Sequence, residues 1–256
     1  MASNEKYHKS EKTMRLIQIT DLHLGLPGED TFGVDVRDNF TKVLAAARAL
    51  QPDYLLLTGD LCFRQGEVAI YEWVRDHLQA IAIPFAVIPG NHDDPVLLAQ
   101  TFGLAEDLHQ EELYFVRYFN GMPAFFLDTT TGYLSLGQQE WLRSQLQMHS
   151  QAVLVFMHHP PLPGGVPYMD TYYPLHNRAQ VQELLFAHPY SVTVFCWHYH
   201  VEKTVQQKLV TMHITPATFY QIDAFSADFK VDHQHPGWRV IDIADERITH
   251  QVLYLQ

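Results

Sequence analysis

Cysteine is nearly missing from the sequence: Cys62 and Cys196 are the only two in 256 residues, too few for a disulfide framework and in keeping with a reducing compartment. No apolar run approaches the roughly 20 residues that a membrane-spanning helix needs. The polar opening stretch, residues 1–13 (MASNEKYHKSEKT), lacks the hydrophobic segment of a signal peptide. Positive charge is also scarce. The 17 Lys+Arg against 29 Asp+Glu leave a formal net charge of −12, which argues against duplex nucleic acid or an anionic membrane as a bulk electrostatic partner. Repeats, low-complexity tracts and linker-like stretches are absent as well. The expectation is a cytoplasmic protein with a flexible polar N-terminus over residues 1–13 and a single domain over 14–256, with 47% apolar residues to build its core.

Histidine, by contrast, is abundant: 16 residues, almost as many as Lys and Arg together, which invites a search for metal-ligand spacing. In the first half, short apolar runs alternate with helical periodicity. The pattern predicts strands over 15–20, 54–58 and 85–88, and helices over 35–50, 67–81 and 95–102. Further on it predicts strands over 113–118 and 124–127, a helix over 138–147, and a strand over 153–157. A Pro/Gly/Tyr-rich loop over 160–174 then precedes a helix over 178–187 and a strand over 192–195. The tail reads as strand at 209–215, 217–223, 238–243 and 248–255. Strand–helix alternation implies a parallel sheet. The strand-rich tail implies a second, largely antiparallel sheet packed on it, with helices outside.

Five of these strands end on polar residues. Asp21-Leu22-His23 follows the first, Gly59-Asp60 the second and Gly90-Asn91-His92-Asp93 the third. His158-His159-Pro160 and Cys196-Trp197-His198-Tyr199-His200 follow two later ones. In parallel sheets, ligands bind beyond the carboxyl ends of the strands, so these endings bring Asp, Asn and His side chains to one edge. Imidazole with carboxylate suits Mn, Fe, Zn or Co over Ca and Mg, and there is no thiolate cluster to favour copper(I) or an iron–sulfur centre. In an extended segment, side chains at i and i+2 share a side, which lets Asp21 with His23, and His198 with His200, reach one centre. A lone Asp-x-His or Gly-Asp is commonplace in turns. Five such endings in order, each after a strand, are not.

In this order the motifs resemble those of the calcineurin-like metallophosphoesterases (D-x-H, G-D, G-N-H-[DE], H and G-H-x-H), over nearly the whole chain. Within that family the sequence is most similar to the bacterial class III 3′,5′-cyclic-nucleotide (cAMP) phosphodiesterases. That narrower likeness rests on His158-His159-Pro160-Pro161, on Asp170 followed by Leu175 and Asn177, on Thr215-Pro216-Ala217-Thr218-Phe219 with Gln221, and on Pro236-Gly237-Trp238-Arg239. The resemblance implies an α/β fold, a four-layer α/β/β/α sandwich of two mixed sheets packed face to face with helices outside. It implies that Asp21, His23 and His200 hold one metal ion, that Asn91, His158 and His198 hold a second, and that Asp60 bridges the two. His92 becomes a non-liganding catalytic histidine beside the scissile phosphate. The cofactors are then two transition ions, iron or manganese first and zinc next. The sequence departs from the family in having Trp197 where the last motif usually begins with Gly. If that Gly serves a positive φ, Trp strains the turn; if it only leaves room, the indole fills space near the metals or points away.

The implied reaction is hydrolysis of a phosphodiester, a 3′,5′-cyclic nucleotide giving the 5′-monophosphate, by a hydroxide bridging two ions about 3.5–4 Å apart. His92 would stabilise the developing charge or protonate the leaving oxygen. A base needs an aromatic platform, for which Phe63, Trp197, Tyr199 and the loop residues Tyr168, Tyr172 and Tyr173 are candidates. Asp93 is expected to orient His92 or to cap the next helix, His159 to pack behind the ligands, and His176 with Asn177 to shape the pocket. Competing readings change the substrate to a glycerophosphodiester, a nucleotide-sugar pyrophosphate or a phosphomonoester, or make the chain a catalytically degenerate binding module. The expected partners are a small-molecule phosphodiester and a second copy of the chain in a homodimer, with no nucleic acid and no membrane.

Overall fold

In the computed structural model, which describes residues 13–245 and 247–256, the first half alternates strand and helix. β1 (Met14–Thr20), α1 (Val36–Ala49), β2 (Tyr54–Thr58), α2 (Val68–Ile81), β3 (Phe85–Ile88) and α3 (Pro95–Phe102) follow in turn. Two short strands, β4 (Leu108–His109) and β5 (Glu112–Leu113), lead to β6 (Phe115–Phe119) and β7 (Met122–Leu127). Then come α4 (Leu136–Met148), β8 (Val153–Met157), α5 (Pro167–Tyr172), α6 (Arg178–Ala187) and β9 (Val192–Cys196). The tail holds β10 (Lys203–Gln207), β11 (Val210–Ile214), β12 (Gln221–Ile222), β13 (Val231–His233), β14 (Gly237–Ala244) and β15 (Arg247–Tyr254). The N-terminal segment expected to be flexible lies outside the described residues, Thr13 excepted.

Local chemistry sets the helix ends. Asp35 accepts the N–H of Asp38 to open α1, whose Val36, Phe40, Val43, Leu44 and Ala47 form one buried stripe. Asp94 accepts from Val96 and Leu97 to open α3, Pro95 occupies its first turn, and Gly103 closes it at φ 70°.

The strands build a five-stranded sheet, β15-β14-β1-β2-β3, and a six-stranded sheet, β10-β11-β9-β8-β7-β6. β1, β2 and β3 run parallel in the first, and β7, β8, β9 and β11 in the second, with antiparallel strands at the flanks. Strand periodicity separates the two faces of the second sheet. Phe126, Phe156 and Phe195 point inward, stacked with centroids 4.8 and 5.4 Å apart, into one apolar cluster with Leu16, Leu56 and Val240 of the first sheet. Phe125, Val155 and Val194 point outward, against Leu142 of α4 and Val181 of α6. A polar seam crosses the layer between the sheets. Gln18 donates to Thr58 and accepts from Thr215, and Arg239 donates to Thr215, to the Ile214 carbonyl and to His250.

The four-layer sandwich therefore stands, with three corrections in detail. Apart from the two-stranded β12-β13 ribbon, the tail forms no sheet of its own: β10 and β11 extend the second sheet, and β14 and β15 extend the first. The predicted strand over 217–223 pairs only at Gln221–Ile222, because the Gln221 side chain bonds back to both the N–H and the carbonyl of Ala217 and curls the chain. The segment 160–174 is not all loop, since α5 lies within it.

Candidate metal centre

At one edge of the sandwich, five strand ends meet. β1 leads to Asp21 and His23, β2 to Asp60, β3 to Asn91 and His92, β8 to His158, and β9 to His198 and His200. His23 Nε2 and His200 Nε2 stand 3.2 Å apart. His200 Nε2 is 3.6 Å from Asp21 Oδ1, and His23 Nε2 is 3.6 Å from Asp60 Oδ2. That same Asp60 oxygen is 3.5 Å from His158 Nε2. His158 Nε2 in turn lies 2.7 Å from Asn91 Oδ1 and 2.9 Å from His198 Nδ1. Donor atoms about 2.0–2.2 Å from one ion stand roughly 2.8–3.6 Å from each other. The spacings thus describe two adjoining cages that share Asp60 Oδ2 as a corner.

Backbone shape brings the donors together. Asp21 (φ 50°), His23 (φ 45°), Asp60 (φ 46°), His198 (φ 66°) and His200 (φ 50°) all adopt the left-handed conformation. The i, i+2 pairs are therefore kinked, not extended as the spacing suggests, and each pair converges through its kinks. Such a conformation costs an L-residue on the order of 1–2 kcal/mol. Backbone hydrogen bonds hold it in place: Asp21 N–H to the Gly59 carbonyl at 3.1 Å, His23 N–H to that of Asp60 at 2.9 Å, and Ile222 N–H to that of His200 at 3.0 Å. Two glycines leave the necessary space. A Cβ on Gly90 would stand 2.2 Å from Asp60 Oδ1, and one on Gly59 would stand 2.6 Å from His158 Nδ1.

Electrostatically the cluster lacks counter-charge. Burial pushes Asp60 up to about 7, and burial together with the Asp60 charge pushes Asp21 well above the carboxylate range. Burial, then repulsion from neighbouring imidazoles, drives His23, His158 and His198 well below the ordinary histidine value. His200 falls to about 4, again mainly through burial. Asp21 Oδ1, His23 Nδ1, His92 Nδ1, His158 Nδ1 and His198 Nε2 are buried without a hydrogen-bond partner. Desolvated acids crowded against neutral imidazoles, with Asp21 Oδ1 orphaned among them, are unfavourable together, and cations held by the facing oxygens and nitrogens relieve them. His200 is already oriented for this, its Nδ1 paired with the Tyr220 carbonyl at 2.9 Å so that Nε2 faces the cluster. The nitrogen-and-oxygen donor set fits transition ions.

The other predicted residues divide. His92 lies beside the cluster, its ring edge-on to His23 at 5.0 Å, and with Phe63, Tyr168 and Tyr173 it lines the cavity above. His159 packs behind, its ring 4.3 Å from that of His198 and its Nδ1 paired with Thr129. Trp197 and Tyr199 do not line the cavity. The Trp197 indole is fully buried between the sheets, and the positive φ falls on the next residue, His198, so no strain falls on the tryptophan. The Tyr199 side chain is directed instead to Asp170, to which its hydroxyl donates at 3.0 Å. Asn177 is also turned away, bonded to both the N–H and the carbonyl of Leu134. Asp93 neither caps α3, which Asp94 does, nor bonds to the His92 ring. Its carboxylate accepts the N–H groups of Leu61, Cys62 and Gly90, tying the Asp60 loop to the His92 loop. Sequence reading missed Phe32, Phe219, Tyr220 and Phe229 on the cavity wall. Phe32 stands in a loop without periodicity. Phe219 reaches the site because its neighbour Thr218 bonds back to the Thr20 carbonyl at the end of β1, a long-range contact with no local signature.

Comparisons with known proteins agree with this geometry. A family model described as calcineurin-like phosphoesterase matches residues 14–202. A probable cyclic nucleotide phosphodiesterase from Fibrobacter succinogenes is 31% identical over 244 residues, with 95% of each chain covered. The 3′,5′-cyclic adenosine monophosphate phosphodiesterase CpdA of Escherichia coli is 29% identical, over 94% of this chain and 90% of the relative. A dimetal phosphatase from Danio rerio shares the fold, with a TM-score of 0.66 at 14% identity, 95% of this chain and 99% of that chain being covered.

Proposed function

Because the chain belongs to the calcineurin-like phosphoesterase family, a family of binuclear metal enzymes, we propose that it hydrolyses a 3′,5′-cyclic nucleotide to the 5′-monophosphate. The observation that carries the chemistry is the single Asp60 oxygen placed 3.6 Å from His23 Nε2 and 3.5 Å from His158 Nε2. In this reading Asp21, His23, Asp60 and His200 hold one ion, and Asp60, Asn91, His158 and His198 hold the other. Iron or manganese is the pair we favour, with zinc next. Bound there, two such ions supply a water acidified toward neutral pH and positive charge against the phosphate oxygens.

The chain's own groups do the rest. Asp60 Oδ1 accepts the His92 backbone N–H at 2.9 Å and so fixes the histidine beside the cluster. From there the imidazole protonates the leaving ester oxygen, its buried Nδ1 having no other partner. Phe63, Tyr168 and the rest of the aromatic wall exclude water and give a nucleobase an apolar surface. The names of the two bacterial relatives support the cyclic nucleotide as the substrate.

We read residues 14–256 as one domain. We place the protein in the cytoplasm, a reading that two free, buried cysteines support. No helix among the described residues is long and apolar enough to cross a membrane. A homodimer belongs to the same reading and is checked by sedimentation velocity.

The test is metal analysis with a substrate panel. Manganese- or iron-loaded protein is assayed on 3′,5′-cAMP, 2′,3′-cAMP, glycerophosphocholine, bis(p-nitrophenyl) phosphate and a phosphomonoester. Two ions per chain and highest kcat/KM on 3′,5′-cAMP are expected. Preference for glycerophosphocholine or the monoester would transfer the same chemistry to another substrate. Failure on every ester with ions bound would leave only a binding module.

A further inference from the structure

Beside the metal cluster the cavity wall is a set of phenyl rings. Phe219 packs on His23 with centroids 5.0 Å apart, so one ring touches a proposed ligand directly. Phe32 lies nearly parallel to Phe219, at 16° and 6.3 Å, and Phe63 meets both rings edge-on at 5.4 and 6.0 Å. Phe32 is unusual on two counts. The residue is 67% exposed, and its backbone adopts φ 55°, a conformation an aromatic residue takes only against steric resistance. The loop enforces it: Gly33 N–H bonds to Asp30, and Thr31 bonds to the Val34 carbonyl. A large apolar side chain is thus held largely in solvent at the cavity wall, in contact there with other aromatic rings of that wall.

What the wall lacks is equally informative. None of the described residues lining this cavity is a lysine or arginine. The nearby cation Arg64 stacks on Phe63 and is paired with Glu29. On the far side of Asn91 and His92 a second recess is lined by Asp94, Glu111, Glu112 and Asp128, with Arg64 as its one cation among the described residues. An additional phosphate on the substrate would find no fixed positive charge in the cavity, and on the other side several carboxylates around a single arginine already paired with Glu29.

We infer that the exposed Phe32 ring grips a flat ring carried by one ester group against the cavity wall, which selects singly charged phosphodiesters bearing an aromatic ring over alkyl diesters and over pyrophosphates. The inference rests on the phosphodiesterase reading and deepens it. Phe219 is itself buried, so the face open to such a ring is that of Phe32. Phe219 lies between Phe32 and His23 in the wall, so a ring held by Phe32 sits beside the cluster.

The test uses full-length manganese-loaded protein and compares kcat/KM for 3′,5′-cAMP with that for glycerophosphocholine. Phe32→Leu keeps apolar bulk but removes the flat face, and Phe32→Tyr restores it. The cAMP-to-glycerophosphocholine ratio should fall about tenfold in Phe32→Leu, through KM, the size of effect a single base–aromatic stack produces. Phe32→Tyr should return the ratio to within about twofold of the parent. An unchanged ratio in Phe32→Leu overturns the grip while leaving the phosphodiesterase intact; parent protein inactive on both diesters overturns the reading beneath it. Saturation-transfer NMR with adenosine, which has no phosphate, gives a readout apart from turnover. Ring protons should receive saturation from the parent protein and markedly less from Phe32→Leu, and equal transfer in both would also refute the grip.

Discussion

Asp60 Oδ1 accepts the backbone N–H of His92 at 2.9 Å. One carboxylate therefore faces the imidazole cluster with its other oxygen while fixing the loop that carries the proposed proton donor, and the two duties can be separated. Asp60→Asn keeps an oxygen able to accept from His92 but removes the charge between the cages. Loss of a partner that merely orients a ligand lowers metal affinity or activity about 10–100-fold. Loss of the shared ligand should exceed that, with kcat down by more than about 100-fold and fewer than two ions per chain by elemental analysis. Full metal content with parental kcat would refute the bridging role.

Trp197 yields a prediction against the family pattern. Replacing it with the glycine usual at that position should weaken the protein, because a fully buried indole between the sheets would leave a void. Truncations of buried aromatic residues typically cost about 3–5 kcal/mol. Denaturant unfolding of Trp197→Gly should show a loss of that size, while Trp197→Phe, which removes the unpaired indole N–H, should lose markedly less. A Trp197→Gly protein as stable as the parent would mean that the indole fills no structural gap.

Asp170 is a positioning residue. Its carboxylate gathers the N–H groups of Gly164 and Val166, the Tyr199 hydroxyl and the Arg178 guanidinium, and so anchors the segment that presents Tyr168 and Tyr173 to the cavity. Asp170→Asn should raise KM for the ring-bearing diester several-fold with kcat within about twofold, since a displaced wall weakens ground-state and transition-state binding alike. A fall in kcat at constant KM would move Asp170 into the chemistry and contradict its placement here.

The pH dependence of stability has a source away from the metal centre. Burial, reinforced by the nearby His250 and Arg239, holds His213 down to about 3, and the rings of His213 and His250 stand 3.9 Å apart. In the unfolded chain histidine titrates near 6.5, so below that pH the unfolded state binds the extra proton and stability falls as the solution is acidified toward the folded value. Between pH 7 and 5 this site should remove about 1–2 kcal/mol, allowing for partial solvent screening. Urea titrations of the parent and His213→Gln at both pH values should reveal that difference in slope. Parallel pH profiles would assign the acid sensitivity elsewhere.

Much of the centre was legible because parallel strands deliver the residues at their carboxyl ends to a common edge: Asp21, Asp60, Asn91, His158 and His198 each stand just beyond a readable apolar run. α3 was readable to the residue, since Pro95 and Gly103 mark its ends by local chemistry alone. The helix around Tyr168 was not, being a six-residue element too short to show a period. β10 hides for a different reason, as its polar KTVQQ leaves no alternation to detect. Phe63, Tyr168 and Tyr173 of the cavity wall were legible from their place beside the motifs, but Phe32 and Phe219 escaped because they come from distant segments whose meeting depends on tertiary packing. The misplacement of Trp197 and Tyr199 has the opposite cause: nearness in sequence to two histidines says nothing about which side of the chain a ring takes.

The left-handed kinks at Asp21, His23, Asp60 and His200 are tied into a framework of main-chain amides and carbonyls. Exchanging one donor side chain should therefore change what this edge can hold without unbending the backbone that carries the others.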